Sequence, residues 1–289
     1  MVLTARESPT LFVARLSLLS AGVLWSLAGV FIKFLPLPPL TIVFYRSFFA
    51  ALFFVFLFQR GSSLPARALL VSAASYTAAI SSFVAANKLT TAANAIVLQY
   101  AAPLFVFMIV TFLFRERIGA VTWLALGVGM SGIAVIFAGS AGQPDFAGVT
   151  VALLSGVLFS IYMVSLRFLK SVPAGTLTCI NNSACCLLLL PFVLGQLSLT
   201  RAECLTVAIM GVVQLGIPYW LFSRAVETIP VHEASLLVLI EPVLNPLWVA
   251  LAVGEIPAPA TVVGGALIVA GLAVRYGWEA NSVRLERDG

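Results

Sequence analysis

Charge is what this sequence has least of. Only 9% of its 289 residues are Asp, Glu, Lys or Arg, 61% are hydrophobic, and there is one histidine. A soluble domain usually carries about 25% charged residues, so this chain cannot cover a water-facing surface. One histidine and eleven acids, few of them inside apolar stretches, are too sparse a set for an intramembrane enzyme, and none is expected. No G-x-x-x-x-G-K-[ST] pattern occurs, which leaves direct drive by ATP without a binding loop. The four cysteines, Cys179, Cys185, Cys186 and Cys204, make no C-x-x-C or histidine-containing pattern. No disulfide framework, metal or other cofactor is therefore expected.

Continuous apolar sequence is what the chain has instead, with a mean hydropathy of +1.10. A membrane-crossing helix needs about 20 apolar residues, which gives room for ten. A β-barrel would read as short alternating segments, and these runs are long and unbroken. The spans are read at about 15–35, 39–59, 67–87, 91–113 and 119–139, then 147–168, 175–195, 203–223, 231–253 and 260–278. The fold class is all-α and integral to the membrane. Arg6 and Arg15 precede the first run as in a secretory signal, but no A-x-A-like site follows, so it is read as a retained first span.

The formal net charge of +5 does not point to nucleic acid, because no basic cluster is interleaved with exposed aromatics. It reads as orientation. With the N-terminus inside, the cytoplasmic segments hold Arg6, Arg15, Arg60, Arg67, Arg115, Arg117, Arg167, Lys170, Arg224, Arg275, Arg284 and Arg287, and the other side holds Lys33, Lys88 and Arg201. Both termini are thus expected in the cytoplasm of a cell with the chain in its inner membrane.

The sequence repeats itself. Ala95-x-x-Leu98, Pro103, Glu116 and Thr122 align without gaps to Ala234-x-x-Leu237, Pro242, Glu255 and Thr261. Gly22-Val23-Leu24-Trp25-Ser26 matches Gly156-Val157-Leu158-Phe159-Ser160, which places Lys33 opposite Arg167. The halves divide at 1–142 and 143–289, after the linker Gly139–Asp145. Five spans is an odd number, so the second copy enters from the opposite side, a plan common among secondary transporters.

Val23-Leu24-Trp25-Ser26, Gln99-Tyr100-Ala101-Ala102-Pro103-Leu104, Glu116, Leu239-Ile240-Glu241-Pro242-Val243 and Gly254-Glu255 together resemble the EamA family of the drug/metabolite transporter superfamily, over nearly the whole chain. The resemblance implies two inverted five-helix repeats around a central cavity. It also implies export, less often import, of small organic molecules, without naming the solute.

Ionisable groups at membrane depth are costly and by default functional. Glu241 lies mid-span before Pro242, whose missing N–H disrupts the helix. Pro246 repeats the disruption and Pro103 marks the matching point in span 4. Glu241, Asn245 and Trp248 share a face, for proton acceptance, contact with a substrate amine, or a hydrogen bond locking span 9 to a neighbour. Arg46 has three readings: a substrate carboxylate, an acid such as Glu241, or snorkelling to the outer interface, and the last is the expectation. Gln99, Gln214 and Asn94 are further cavity candidates, although interhelical bonding accounts for many such groups. Tyr76, Tyr100 and Tyr162 are too central for an interfacial belt and, with Trp25, suit the wall of a cavity for an amphipathic solute. Asn181 and Asn182 read as interhelical bonds, and His232 and Glu233 as a helix start. Glu116 and Glu255 read as helix-end anchors. Gly127-x-x-x-Ser131 and Ala266-x-x-x-Ala270 read as small-residue packing faces, against each other or a second protomer. The function expected is a secondary transporter of amino acids or related metabolites, as a monomer or homodimer in lipid. The alternative is a lipid or headgroup flippase or a non-transporting scaffold.

Overall fold

Residues 9–59 and 65–288 are described here from a computed structural model. Nine helical segments among them are long and apolar enough to cross a membrane. They are span 1 (Thr10–Phe34), span 3 (Ala66–Leu89), span 4 (Ala92–Phe112), span 5 (Ala120–Ser140), span 6 (Phe146–Phe168), span 7 (Ala174–Gln196), span 8 (Arg201–Ala225), span 9 (Glu233–Val253) and span 10 (Pro259–Trp278). Span 2 is the apolar helix Pro39–Val55. Expected to reach Gln59, it stops at Val55, and the amides of Leu57 and Phe58 turn back to the carbonyls of Phe54 and Val55. Its 17 residues reach about 25 Å at 1.5 Å per residue, close to the thickness of the hydrocarbon layer. Arg6, Arg60 and Gly289 lie outside the described residues.

Some helix starts satisfy or avoid free amides locally. Pro39 opens span 2 without needing a donor. Thr91 accepts from the amide of Asn94, and Thr200 and Glu203 cap span 8 reciprocally.

Four spans are irregular at mid-depth. Span 1 is interrupted at Leu27, between Pro9–Ser26 and Ala28–Phe34. Span 4 breaks between Gln99 and Ala102, and span 9 between Val238 and Glu241, which are equivalent points of the two sequence halves. Span 8 widens into a π-helix over Met210–Gly216. Pro246, expected to disrupt span 9 again, does not: the helix Glu241–Val253 runs through it.

Spans 5 and 10, 3 and 6, 4 and 6, 1 and 9, 2 and 7, and 1 and 8 form the main packed pairs. Spans 5 and 10 meet each other, but not on the expected faces. Gly127 has open space around it and Ser131 is exposed. The approach uses Gly132 and Gly264 instead. A Cβ on Gly132 would lie 2.4 Å from the Gly264 carbonyl oxygen. Spans 3 and 7 are joined by polar bonds, Ser72 to Asn181 at 3.2 Å and Tyr76 to Asn182 at 3.2 Å.

Ion pairs mark the two faces. Arg15 and Glu233 (2.7 Å) join the starts of spans 1 and 9, and Arg167 and Glu116 (2.7 Å) join the ends of spans 6 and 4. These lie on the face where the chain begins and ends, called here the termini face. Lys33 and Glu255 (2.6 Å) join the ends of spans 1 and 9 on the far face.

Candidate functional site: a central cavity

The span irregularities surround a cavity of about 320 Å³. Carbonyls and side chains freed by broken helices are tolerated at membrane depth only where they meet protein or a water-filled space. Span 1 shows the local cause. Its interruption leaves the Trp25 carbonyl to accept from Gln214 Nε2 at 3.2 Å, and the π-turn of span 8 carries Gln214 to that point. Such π-segments often sit at functional sites.

Three kinds of side chain line the space. Arg46 of span 2 is 3% exposed, and its Nε has no hydrogen-bond partner. Among the described residues it makes no ion pair with Glu241 or any other acid, although both line the cavity. The expectation that Arg46 snorkels outward is therefore corrected. Span 2 packs on span 7 and on the π-segment of span 8, which keeps the guanidinium among helices. Glu241 begins the second half of span 9 and accepts from the Tyr100 hydroxyl at 2.6 Å. The carboxyl is thus tied across the two equivalent breaks. Gln214 Oε1 and Trp25 Nε1 are buried with no hydrogen-bond partner. Gln99 and Pro103 complete the polar, broken part of the wall.

The aromatic wall is Trp25, Tyr100, Phe159, Tyr162, Tyr219 and Phe222. Trp25 meets Tyr219 edge-on with ring centroids 5.1 Å apart, and Phe159 lies 5.5 Å from Tyr162. Phe159, Tyr219 and Phe222 were not singled out as cavity residues from sequence. Phe159 carried a signal, since the repeat pairs it with Trp25.

Four candidates stand elsewhere. Tyr76 is one layer behind the wall, packed on Tyr162 at 5.3 Å. Asn94 belongs to the far-face seal: its Oδ1 accepts from Thr261 at 2.7 Å and its Nδ2 donates to Thr90 Oγ1, which donates to Asp145. Asn245 is fully buried and abuts Gly29, where a Cβ would come within 2.6 Å of its Oδ1. Trp248 donates to Ser26 Oγ at 2.9 Å. Below Glu241, this face of span 9 packs against span 1 and does not line the cavity. Pro242 is buried within span 9, outside the cavity wall. The side chain of His232 lies outside the described residues.

The cavity is not centred in depth. Its wall includes Met163 and Leu166 near the end of span 6, Phe222 near the end of span 8, Ser235 near the start of span 9 and Tyr276 near the end of span 10. All of these lie toward the termini face. On the far side the Asn94 bonds, the Lys33–Glu255 pair, and a bond from Lys88 to the Leu35 carbonyl close the bundle.

Ten apolar helices enclosing a small, largely apolar cavity that holds a few buried polar and charged groups, sealed at one face and reaching toward the other, define a multi-pass membrane protein with room for a solute. The sequence model of the EamA-like transporter family matches residues 13–138 and again 146–276, and the chain belongs to that family; it is a transporter. A protein of Archaeoglobus fulgidus named as an uncharacterized transporter is similar to it, with 29% identity over 259 residues, 89% of this chain and 93% of the relative. The uncharacterized transporter YdfC of Bacillus subtilis is 28% identical over 200 residues, 66% of this chain and 64% of the relative. A solved crystal structure shares the fold at a TM-score of 0.65 and 22% identity, covering 90% of this chain and 96% of that one.

Proposed function

We propose that the chain is a secondary transporter of amino acids or related small zwitterions, exporting them by alternately opening the central cavity to the two faces. One observation carries the reading. A buried guanidinium without a counter-ion and a carboxyl held by a single tyrosine share one aromatic-walled cavity. An unpaired buried cation is costly unless something of opposite charge joins it. A solute carboxylate on Arg46, with the Trp25 indole N–H as a second donor, supplies that charge. The solute ammonium then faces Glu241 and the unpartnered oxygen of Gln214, and its apolar body lies against the aromatic rings. The volume of about 320 Å³ suits one small molecule.

Glu241 is also the group placed to exchange a proton for the solute, which couples flux to a pH gradient. The basic residues Arg15, Arg67, Arg115, Arg117, Arg167, Lys170, Arg224 and Arg275 gather at the termini face, which supports a cytoplasmic placement of that face in the inner membrane. Flux in proteoliposomes under an imposed pH gradient tests the coupling. Glu241→Gln is expected to insert and fold, to lose gradient-driven flux, and to keep solute binding in weakened form. Undiminished gradient-driven flux in that variant sinks the coupling assignment.

A lipid substrate is favoured by one different feature. A second, almost wholly apolar groove runs between spans 3, 4 and 6, lined by Val71, Ile109, Leu113, Val157 and Ile161, with Arg67 at its end. Scrambling of a fluorescent phospholipid by the purified protein, without amino-acid flux, selects that reading.

A further inference from the structure

At the far face one carboxylate holds three helix ends together. Glu255, just past span 9, pairs with Lys33 at 2.6 Å and accepts from the amide of Ala92 at 2.7 Å. Lys33 also donates to the Thr90 carbonyl at 2.9 Å. The end of span 9, the end of span 1 and the start of span 4 are thereby clasped above the cavity. The pair is largely withdrawn from water, at 17% and 21% side-chain exposure.

The internal repeat sends every member of this clasp to a definite place on the termini face. Glu255 corresponds to Glu116, Lys33 to Arg167, Thr90 to Ile229, and Ala92 to Val231. Half of the second clasp is formed. Arg167 grips Glu116 through two bonds, at 2.7 and 3.1 Å. The other half is open: among the described residues the Glu116 carboxylate bonds to Arg167 alone, and the pair is 44% and 46% exposed. The packing is asymmetric in the same sense. The second half of span 9 rests on the first half of span 4, whereas no comparable packing joins the first half of span 9 to the second half of span 4.

The backbone carries the correspondence further. The residue before each glutamate is left-handed, Gly254 at φ 74° and Arg115 at φ 56°. Glycine takes that conformation freely, and an arginine does so at a cost. Arg115 alone among the described non-glycine residues has positive φ, and it stands where the repeat demands the turn that presents the carboxylate.

We propose that Glu116 and Arg167 are the closing residues of the termini-face gate. When that face shuts, Glu116 accepts from the Val231 amide and Arg167 donates to the Ile229 carbonyl, while Glu255 releases Ala92. The two clasps exchange, one formed as the other opens. This rests on the alternating opening proposed above, and the labelling arm below tests that opening separately and without a solute.

The full chain, with its four cysteines changed to serine and Met163→Cys as a reporter on the termini-face side of the cavity, is placed in lipid nanodiscs. The rate at which the thiol forms a mixed disulfide with a charged methanethiosulfonate, releasing methanesulfinate, reports the open termini face. Glu255→Ala removes the far-face clasp, which shifts the two-state ratio roughly tenfold, the weight of a charge-assisted bond, and labelling slows with the open fraction, by up to that factor. Glu116→Ala forfeits an exposed pair of little weight and the closing bond, so labelling is not slowed, while counterflow of a labelled amino-acid mixture in proteoliposomes falls. The exchange of Glu116→Arg with Arg167→Glu rebuilds the pair but puts a donor where the Val231 amide needs an acceptor. It is expected to keep a thermal midpoint near that of the unaltered chain and to lose counterflow. Wild-type counterflow in the exchanged protein or in Glu116→Ala overturns the gate. Labelling that neither glutamate variant alters contradicts the alternating opening itself.

Discussion

Glu241 and Tyr100 meet across two helix breaks, Arg46 reaches the same cavity from the unbroken helix of span 2, and most of the chemistry rests on these three. Replacing Arg46 with Ala removes a charge-assisted bond to the solute, worth about 1.5–3 kcal/mol, so apparent affinity should weaken roughly ten- to a hundredfold. Arg46→Lys should recover only part, since an ammonium lacks the planar fork that matches a carboxylate. Ligand-induced thermal shift with amino acids measures both. Tyr100→Phe takes the one hydroxyl from Glu241 and should lower flux while Tyr76→Phe, behind the wall, leaves flux near that of the unaltered protein. At the surface, the Arg167 guanidinium holds the Glu116 carboxyl below the usual carboxylate range. A lowered folded value means the pair's contribution is present above the ordinary carboxylate range and is lost as pH falls through the lowered value. Thermal midpoints of the unaltered chain and Glu116→Gln should therefore converge in acid. Glu241, Gln99 and Gln214 were legible in sequence because a polar group at mid-depth needs a reason. Depth does not give the direction in which a side chain points, and so Asn94, Asn245 and Tyr76 were grouped with them and Arg46 was sent outward.

The elements themselves were largely written in hydropathy. Each apolar run became a helix within a few residues, except that span 2 ended four residues early and the helix of span 10, expected to stop near 278 before a polar tail, continues to Asp288. The breaks in spans 4 and 9 had a signal in Pro103 and Pro242. The π-segment of span 8 is followed by Pro218, which has no N–H to give the Gln214 carbonyl, a signal left unread, whereas the interruption at Leu27 has no proline or charge to mark it and tertiary packing decides it. The seam between spans 5 and 10 was legible only as a tendency. Small residues lie on more than one face of each helix, and only packing chose Gly132 over Gly127. Gly132→Ala forces a methyl against the Gly264 carbonyl and should cost about 1–3 kcal/mol, read as a fall in thermal midpoint, while Gly127→Ala, in open space within the helix, should leave the midpoint unchanged or raise it. Arg115→Gly relieves a left-handed arginine and should raise stability by about 1 kcal/mol. Pro103→Ala restores an amide at the span 4 break; it should stiffen the helix, raise the midpoint and slow flux.

For the whole molecule, the halves proposed at 1–142 and 143–289 carry one plan in two orientations, and the two faces differ in how far it is completed. The far face has its clasp, its asparagine–threonine bonds and its packed helix ends. The termini face has the ion pair without the closure, and the cavity reaches that way. Only one half has a carboxyl at the break, since Ala102 stands where the other half has Glu241, so a symmetric frame encloses an asymmetric site. The family follows from this architecture and from the two matched segments, whereas the solute is argued from the side chains. Counterflow of labelled amino acids in proteoliposomes, comparing the unaltered chain with Arg46→Ala and Glu241→Gln, tests that claim most directly. The account predicts saturable exchange for at least one amino acid with an apolar side chain, its apparent affinity reduced roughly ten- to a hundredfold in Arg46→Ala and weakened in Glu241→Gln. Exchange of the same rate and affinity in all three proteins, or none in the unaltered chain, contradicts it.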